Sequence, residues 1–223
     1  MSSDFYRPLF CRQAPPCWAN PMLHCDSSWQ AGHTSVLLLI IGLALFFTPH
    51  LFREMAIRQA IIDAAPSVNA YKAIYRLVIL AGLGLIIWGK SIAPFIMVWQ
   101  PFYELRYLSL LLMLPAIIFI VASNLPMSVT KRTLHHPMLL GVAIWGLAHL
   151  WSNGDLASIL LFGSFTCWSL IKTFALGKVG VVTENNSISS LLIWDVIATA
   201  AGGVVCLLIV AYHGQLFGVG VTF

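Results

Sequence analysis

Long apolar runs alternate with short polar breaks along most of this chain. From residue 35 onward there are six such runs of 15 to 22 residues, and none shows the every-second-residue alternation of a barrel strand. A helix needs about 20 residues to cross roughly 30 Å of hydrocarbon, with a tolerance of several residues. We therefore predict six transmembrane helices, of which the fourth is short. The runs are 35–52, 73–89, 107–123, 137–151, 156–175 and 191–212.

The breaks between the runs predict how the helices begin and end. Asn153 and Gly154 form a tight break, and Asp155 is a good N-cap for the fifth helix. The longer connection 54–71 has isoleucines on one side and charges elsewhere, which is typical of a helix lying along the membrane surface. The short break at Asn153 and Gly154 favours antiparallel packing of the two helices that it joins.

Composition supports the same fold class. Only 9% of the residues are charged and 59% are hydrophobic, with a mean hydropathy of +0.87. A soluble domain needs roughly 25% charged residues to cover its surface. The net charge of +4 is scattered, without the basic stripe of a nucleic-acid-binding protein. We predict an all-α, polytopic integral membrane bundle that does not bind nucleic acid.

Residues 1–34 differ from the rest of the chain. They hold four of the eleven prolines and three of the five cysteines, and they lack the order of a secretory signal. We predict a poorly ordered extension over 1–34 and a membrane domain over 35–223.

The distribution of Lys and Arg predicts the orientation. Eight basic residues fall in the first, third and fifth connections or at their edges, and two fall in the second and fourth. The positive-inside rule then places both termini on the outer side. The eight are Arg53, Arg58, Lys72, Arg76, Lys131, Arg132, Lys172 and Lys178; the two are Lys90 and Arg106.

Two histidines inside the runs invite functional hypotheses, because polar side chains in a membrane are costly. His149 shares a helix face with Trp145 and Gly146, which would leave room for a flat apolar group. The alternative is a histidine that is hydrogen-bonded to a neighbouring helix.

His50 has different neighbours along its helix. Phe46 and Phe47 lie one turn before it, Pro49 can kink the helix, and Arg53 lies one turn beyond. An axial imidazole, apolar walls and a cation for a propionate are what a haem requires. The alternative is an interfacial histidine at a kinked helix end.

Several stretches resemble the NnrU family of bacterial membrane proteins over residues 35–223. NnrU-like proteins are linked to nitric oxide and nitrite metabolism in denitrifying bacteria, so the resemblance implies a protein of the bacterial inner membrane with a role near that metabolism. The stretches are His50 to Arg53, 136–149, 153–163, and Trp194 with Asp195.

The NnrU family is also similar to plant 15-cis-zeta-carotene isomerase, a haem b membrane enzyme. This likeness implies haem b with His50 and His149 as iron ligands, in a cofactor site that includes Arg53, Trp145 and Gly146. It also implies an alternative function, the cis-trans isomerisation of a polyene or similar apolar molecule. The isomerase's alternative cysteine ligand would fall at Gly146, where this chain departs from it.

Other readings stay open. A membrane redox partner is compatible with the first function. His136, Pro137 and Gly141 weakly resemble a motif of small membrane methyltransferases, but position 135 holds His instead of Arg. A further possibility is an accessory protein without a cofactor, whose histidines only pack against neighbouring helices.

The different membrane depths of His50 and His149 are the main argument against one iron bound by both. With each run centred in the bilayer, His50 lies about 9 Å to one side of the middle and His149 about 8 Å to the other. A shift of the short fourth helix, or a kink at Pro49, would have to bring them together.

Overall fold

The computed structural model describes residues 24–52, 57–102, 106–177 and 187–217. The regular structure in this part of the chain is helical, apart from one isolated β-bridge. The helices are α1 (His24–Phe52), α2 (Ile57–Ala64), α3 (Val68–Ile92), α4 (Arg106–Asn124), α5 (Val129–Leu134), α6 (Pro137–Ser152), α7 (Leu156–Leu176) and α8 (Ile188–Phe217).

The predicted all-α membrane fold is confirmed. Five helices (α1, α3, α4, α7 and α8) are long and apolar enough to cross a membrane, so the chain is a multi-pass membrane protein. The predicted fourth span is α6, which has 16 residues and is about 24 Å long. All six predicted runs correspond to these helices, and the observed helices extend beyond most of them.

The first connection differs from its prediction. Instead of one surface helix over 54–71, α2 ends at Ala64 and α3 already begins at Val68. Pro66 interrupts the helical hydrogen bonds, and the Ser67 hydroxyl then accepts a hydrogen bond from the Ala70 amide as the N-cap of α3. At the other end of the domain, α1 begins at His24, so the last part of the predicted extension is helical. Residues 1–23 lie outside the described part.

The long helices form a row in which each packs against the next, in the order α3, α1, α7, α6, α4, α8. Glycines allow the backbones to approach closely, as in other membrane bundles. A Cβ at Gly42 would lie 2.7 Å from the Ile86 amide, and one at Gly141 would lie 2.7 Å from the Ala116 carbonyl oxygen. Side chains larger than glycine at these crossings would push the helices apart.

One end of the bundle, which we call the Asp155 end, is closed by polar contacts. The α3–α4 connection pairs with the α6–α7 break, because the Val98 amide donates to the Gly154 carbonyl and the Leu156 amide to the Ile96 carbonyl. Asp155 caps α7 by accepting from the Ser158 amide, as predicted.

The opposite end, which we call the α5 end, carries a correction. The predicted run 191–212 would put Asp195 in the first turn of the last helix, but α8 begins earlier, at Ile188. The Asp195 carboxylate instead accepts hydrogen bonds from the amides of Val129 and Thr130. These amides open α5, so the carboxylate faces the positive end of a different helix.

Candidate functional site

His149 lies near the end of α6 and is held by its own helix. Its Nδ1–H donates to the Trp145 carbonyl oxygen, 2.9 Å away. The imidazole stacks on Phe162 of α7, with ring centroids 4.3 Å apart and planes 24° from parallel. The Trp145 ring is 5.1 Å from the imidazole and also contacts Phe162. His149 is therefore fixed by one hydrogen bond and two aromatic neighbours.

His50 repeats this arrangement near the end of α1. Its Nδ1–H donates to the Phe46 carbonyl oxygen at 2.7 Å, and its ring stacks on Phe46 at 4.9 Å with 28° between the planes. Trp168 of α7 meets the imidazole edge-on at 5.5 Å, and Tyr75 of α3 lies 6.1 Å away. Three helices thus surround the His50 ring.

The two hydrogen bonds assign the tautomer of both histidines. A carbonyl oxygen only accepts, so Nδ1 must carry the proton, and in the neutral ring the lone pair is then on Nε2. Histidines that bind metals through Nε2 commonly donate Nδ1–H to a carbonyl or carboxylate in this way. A neutral ring at either position would thus have the protonation pattern of a metal ligand.

The same bonds show which way the side chains lean. Helical side chains tilt toward the N-terminus of their own helix, and each imidazole here folds back by one turn. Because α1 and α6 run in opposite directions, His50 leans toward the Asp155 end and His149 toward the α5 end. Each histidine therefore leans toward the depth of the other.

Phe165 of α7 connects the two histidine neighbourhoods. Its ring lies 5.2 Å from Phe46, 5.0 Å from Phe47 and 5.8 Å from Trp145. Aromatic contacts therefore run without interruption from the side chains around His50 to those around His149.

The offset between the histidines is smaller than the sequence indicated. His149 meets Phe162 and His50 meets Trp168, and these two residues of α7 are six positions, or about 9 Å, apart along the helix axis. The sequence-based depths sum to nearly twice this value. His149 still lies toward the Asp155 end and His50 toward the α5 end, because Phe162 and Trp168 fall on opposite sides of the middle of α7.

Gly146 has a packing role in the structure. A Cβ there would overlap the Thr166 Oγ1 and would lie 2.9 Å from the Phe162 carbonyl oxygen. The space expected beside His149 on this side is therefore filled by α7. A cysteine at this position, as in the isomerase, would require α6 and α7 to separate.

The other predicted site residues fall in different places. Trp145 belongs to the aromatic contacts around His149, whereas Arg53 lies outside the described residues. His136 and Pro137 begin α6 at the α5 end, far from His149 along that helix. His213 of α8 contacts Phe217 of its own helix, with ring centroids 4.9 Å apart. In the described part of the chain, no cluster of three or more His, Cys, Asp or Glu side chains could hold a metal.

Two features of the structure are not evident from the sequence. Lys90, which the sequence assigns to the second connection, donates to Asp155 at 2.8 Å and to the Ser158 hydroxyl at 2.7 Å, and so forms an ion pair at the Asp155 end. The second feature is Trp168, whose ring contacts both His50 and Phe47. No local pattern marks either residue, since their partners are distant in sequence.

Comparison with protein families finds one that covers most of the chain. The NnrU protein family model matches residues 38–221, which include every described helix from the middle of α1 to the end of α8. Comparison with curated proteins and with solved structures finds no match. A match over so much of the membrane domain shows that the chain belongs to the NnrU family.

Proposed function

We propose that this NnrU protein binds haem b between α1 and α6, with His50 and His149 as the iron ligands. Its role would be in a redox or gas-linked step of nitrite and nitric oxide metabolism, in the bacterial inner membrane. The larger number of basic residues at the α5 end favours that end as the cytoplasmic side. Both termini would then face outward.

The observation that supports this proposal most strongly is the matched chemistry of the two histidines. Both donate Nδ1–H to a carbonyl of their own helix, and both stack on a phenylalanine. A histidine that served only packing could satisfy one nitrogen in this way. Two such histidines, on antiparallel helices and joined through one aromatic cluster, form a pair suited to one apolar, metal-bearing group.

The two histidines and the aromatic side chains between them have the chemistry that a haem site needs, and their positions fit a haem in part. The aromatic side chains supply apolar contacts for a porphyrin, and bound haem would supply iron for electron transfer or for binding a small gas. His50 and His149 would hold the iron, while Trp145 and Phe165 would exclude water from it. The offset of about 9 Å along α7 is more than one helical turn, so a histidine-bearing helix must slide along α7 for both histidines to reach one metal.

The test is the absorption spectrum of the chain purified in detergent after expression with haem supplementation. The wild-type protein is expected to show a Soret band with the spectrum of a six-coordinate haem. His149→Ala is expected to lose most of the bound haem, and His50→Ala to lose the six-coordinate spectrum.

Two further histidine variants act as controls. His135→Asn changes a surface-facing histidine at a positive φ that asparagine tolerates, and it should leave the spectrum unchanged. His213→Ala asks whether α8 supplies the second ligand instead of α1. A colourless, folded wild-type protein would overturn haem binding. A spectrum that depends on His149 and His213 but not on His50 would overturn the proposed pair.

A further inference from the structure

The indole nitrogen of Trp168 is a buried hydrogen-bond donor without an acceptor. Its Nε1 is closed off from solvent and makes no hydrogen bond in the structure. Buried Trp N–H groups usually find an acceptor, because burial removes the bonds that they would make with water. Thr166 and Ser169 of the same helix do bond to backbone carbonyls. The unpaired donor is thus an exception among the buried polar groups of α7.

The position of this donor points to the candidate site. The Trp168 ring is 5.5 Å from His50 and 5.5 Å from Phe47, so the indole lies where α1 meets α7. It is one turn beyond Phe165, on the side of the α5 end. A group bound among the aromatic side chains would therefore pass close to the Trp168 N–H.

A lysine ammonium lies against the same indole ring. The Lys172 ammonium, one turn further along α7, sits 5.6 Å from the centre of the Trp168 ring. On α3, Lys72 and Arg76 are exposed and lie within one helical turn of Tyr75, which contacts His50. A donor N–H with a neighbouring ammonium group is suited to an anionic oxygen acceptor.

We propose that Trp168 is a positioning residue whose N–H donates to a carboxylate of the bound cofactor, with Lys172 balancing the charge. This rests on the proposed function, because the carboxylate is a haem propionate. Propionates project from the edge of a porphyrin, so their partners lie to one side of the iron ligands. Trp168 and Lys172 occupy that place, toward the α5 end, and would fix which way the haem points.

The test compares Trp168→Phe with wild type by titrating the haem-free protein with haem and with haem dimethyl ester. Phenylalanine keeps an aromatic ring beside His50 and removes the donor. Loss of a hydrogen bond to a charged acceptor predicts at least a roughly tenfold weaker affinity for haem. The position of the Soret band should not change, since the iron ligands are intact. With the dimethyl ester, which lacks the charge, the two proteins should differ much less.

The haem-free protein gives a second readout. Because the N–H has no acceptor there, Trp168→Phe should leave the resistance to SDS unfolding unchanged or increase it. Trp88→Phe, the same change at an exposed position of α3, should affect neither measurement.

Equal haem affinities of wild type and Trp168→Phe would overturn the role of Trp168 while leaving haem binding intact. An equal loss with haem and with its ester would overturn the carboxylate as acceptor. A wild-type protein that binds no haem would overturn the proposed function, and the inference with it.

Discussion

His50 and His149 make the same local hydrogen bond but lie in differently built regions. His149 rests on Phe162, which is 8% exposed, at a crossing of α6 and α7 where a Cβ on Gly146 has no room. His50 is surrounded by half-buried rings from α1, α3 and α7, and the donor beside it lacks an acceptor. One histidine is fixed by close helix packing, and the other lies among side chains that can rearrange.

This difference in packing predicts different roles for the two histidines in binding a cofactor. The helix pair that carries His149 is also secured at the Asp155 end by the Lys90–Asp155 ion pair and by backbone hydrogen bonds between two connections. The His50 region has the exposed cations and the unpaired indole N–H. We therefore expect His149 to be the preformed ligand, and His50 to adjust when the bound group arrives.

The largest expected effect comes from removing the ring beneath each histidine. Phe162→Ala should lower the free energy of unfolding by about 3 to 5 kcal/mol, because it leaves a cavity in a close-packed interface. Phe46→Ala should cost less, since that ring is only half-buried. Reversible unfolding in mixed SDS micelles measures both, and equal losses would argue against the proposed difference in packing.

Adding a methyl group tests the helix crossing at His149. Gly146→Ala should cost about 1 to 3 kcal/mol, because α7 must move to relieve the overlap with Thr166. Gly163→Ala is the matched control on α7, since a Cβ there meets nothing within 4 Å. Thr166→Ala combined with Gly146→Ala should recover part of the loss. If Gly146→Ala behaved like the control, the crossing would not be what fixes His149.

The smallest effect concerns the charge at the Asp155 end. Burial raises the pKa of the Asp155 carboxyl, but hydrogen bonds from Lys90 and Ser158 outweigh it and bring this pKa below its usual value of 3.8. Asp155→Asn keeps an N-cap and removes the ion pair, and should cost about 1 kcal/mol at neutral pH.

The pH dependence of this loss has a definite sign. A carboxyl whose pKa is lowered by folding stabilises the protein above its ordinary pKa, and the contribution disappears as the pH falls through the lowered value. The stability difference between wild type and Asp155→Asn should therefore be constant above about pH 5 and shrink below pH 3.8. A difference that did not change with pH would mean that the charge of Asp155 does not stabilise this end.

The sequence predicted the helices well because lipid imposes long apolar runs, and it predicted the Asp155 cap because capping is local. It predicted the two histidines as candidates for the same reason, since polar residues stand out in an apolar helix. It could not predict that α7 fills the space beside Gly146 or that Lys90 reaches Asp155. These contacts depend on how far one helix slides along another, and the length of an apolar run leaves that shift open by several residues. For the same reason the sequence overstated the depth difference between His50 and His149.

Electron paramagnetic resonance of the ferric, haem-loaded protein tests the central claim most directly, because it reports the axial ligands of the iron. We expect one haem per chain with a low-spin signal from two imidazoles in the wild-type protein. The His50→Ala variant should retain some haem in a high-spin form, and His149→Ala should lose most of it. A low-spin bis-imidazole signal that persists in either variant would contradict the assignment of His50 and His149 as the pair that shares one iron.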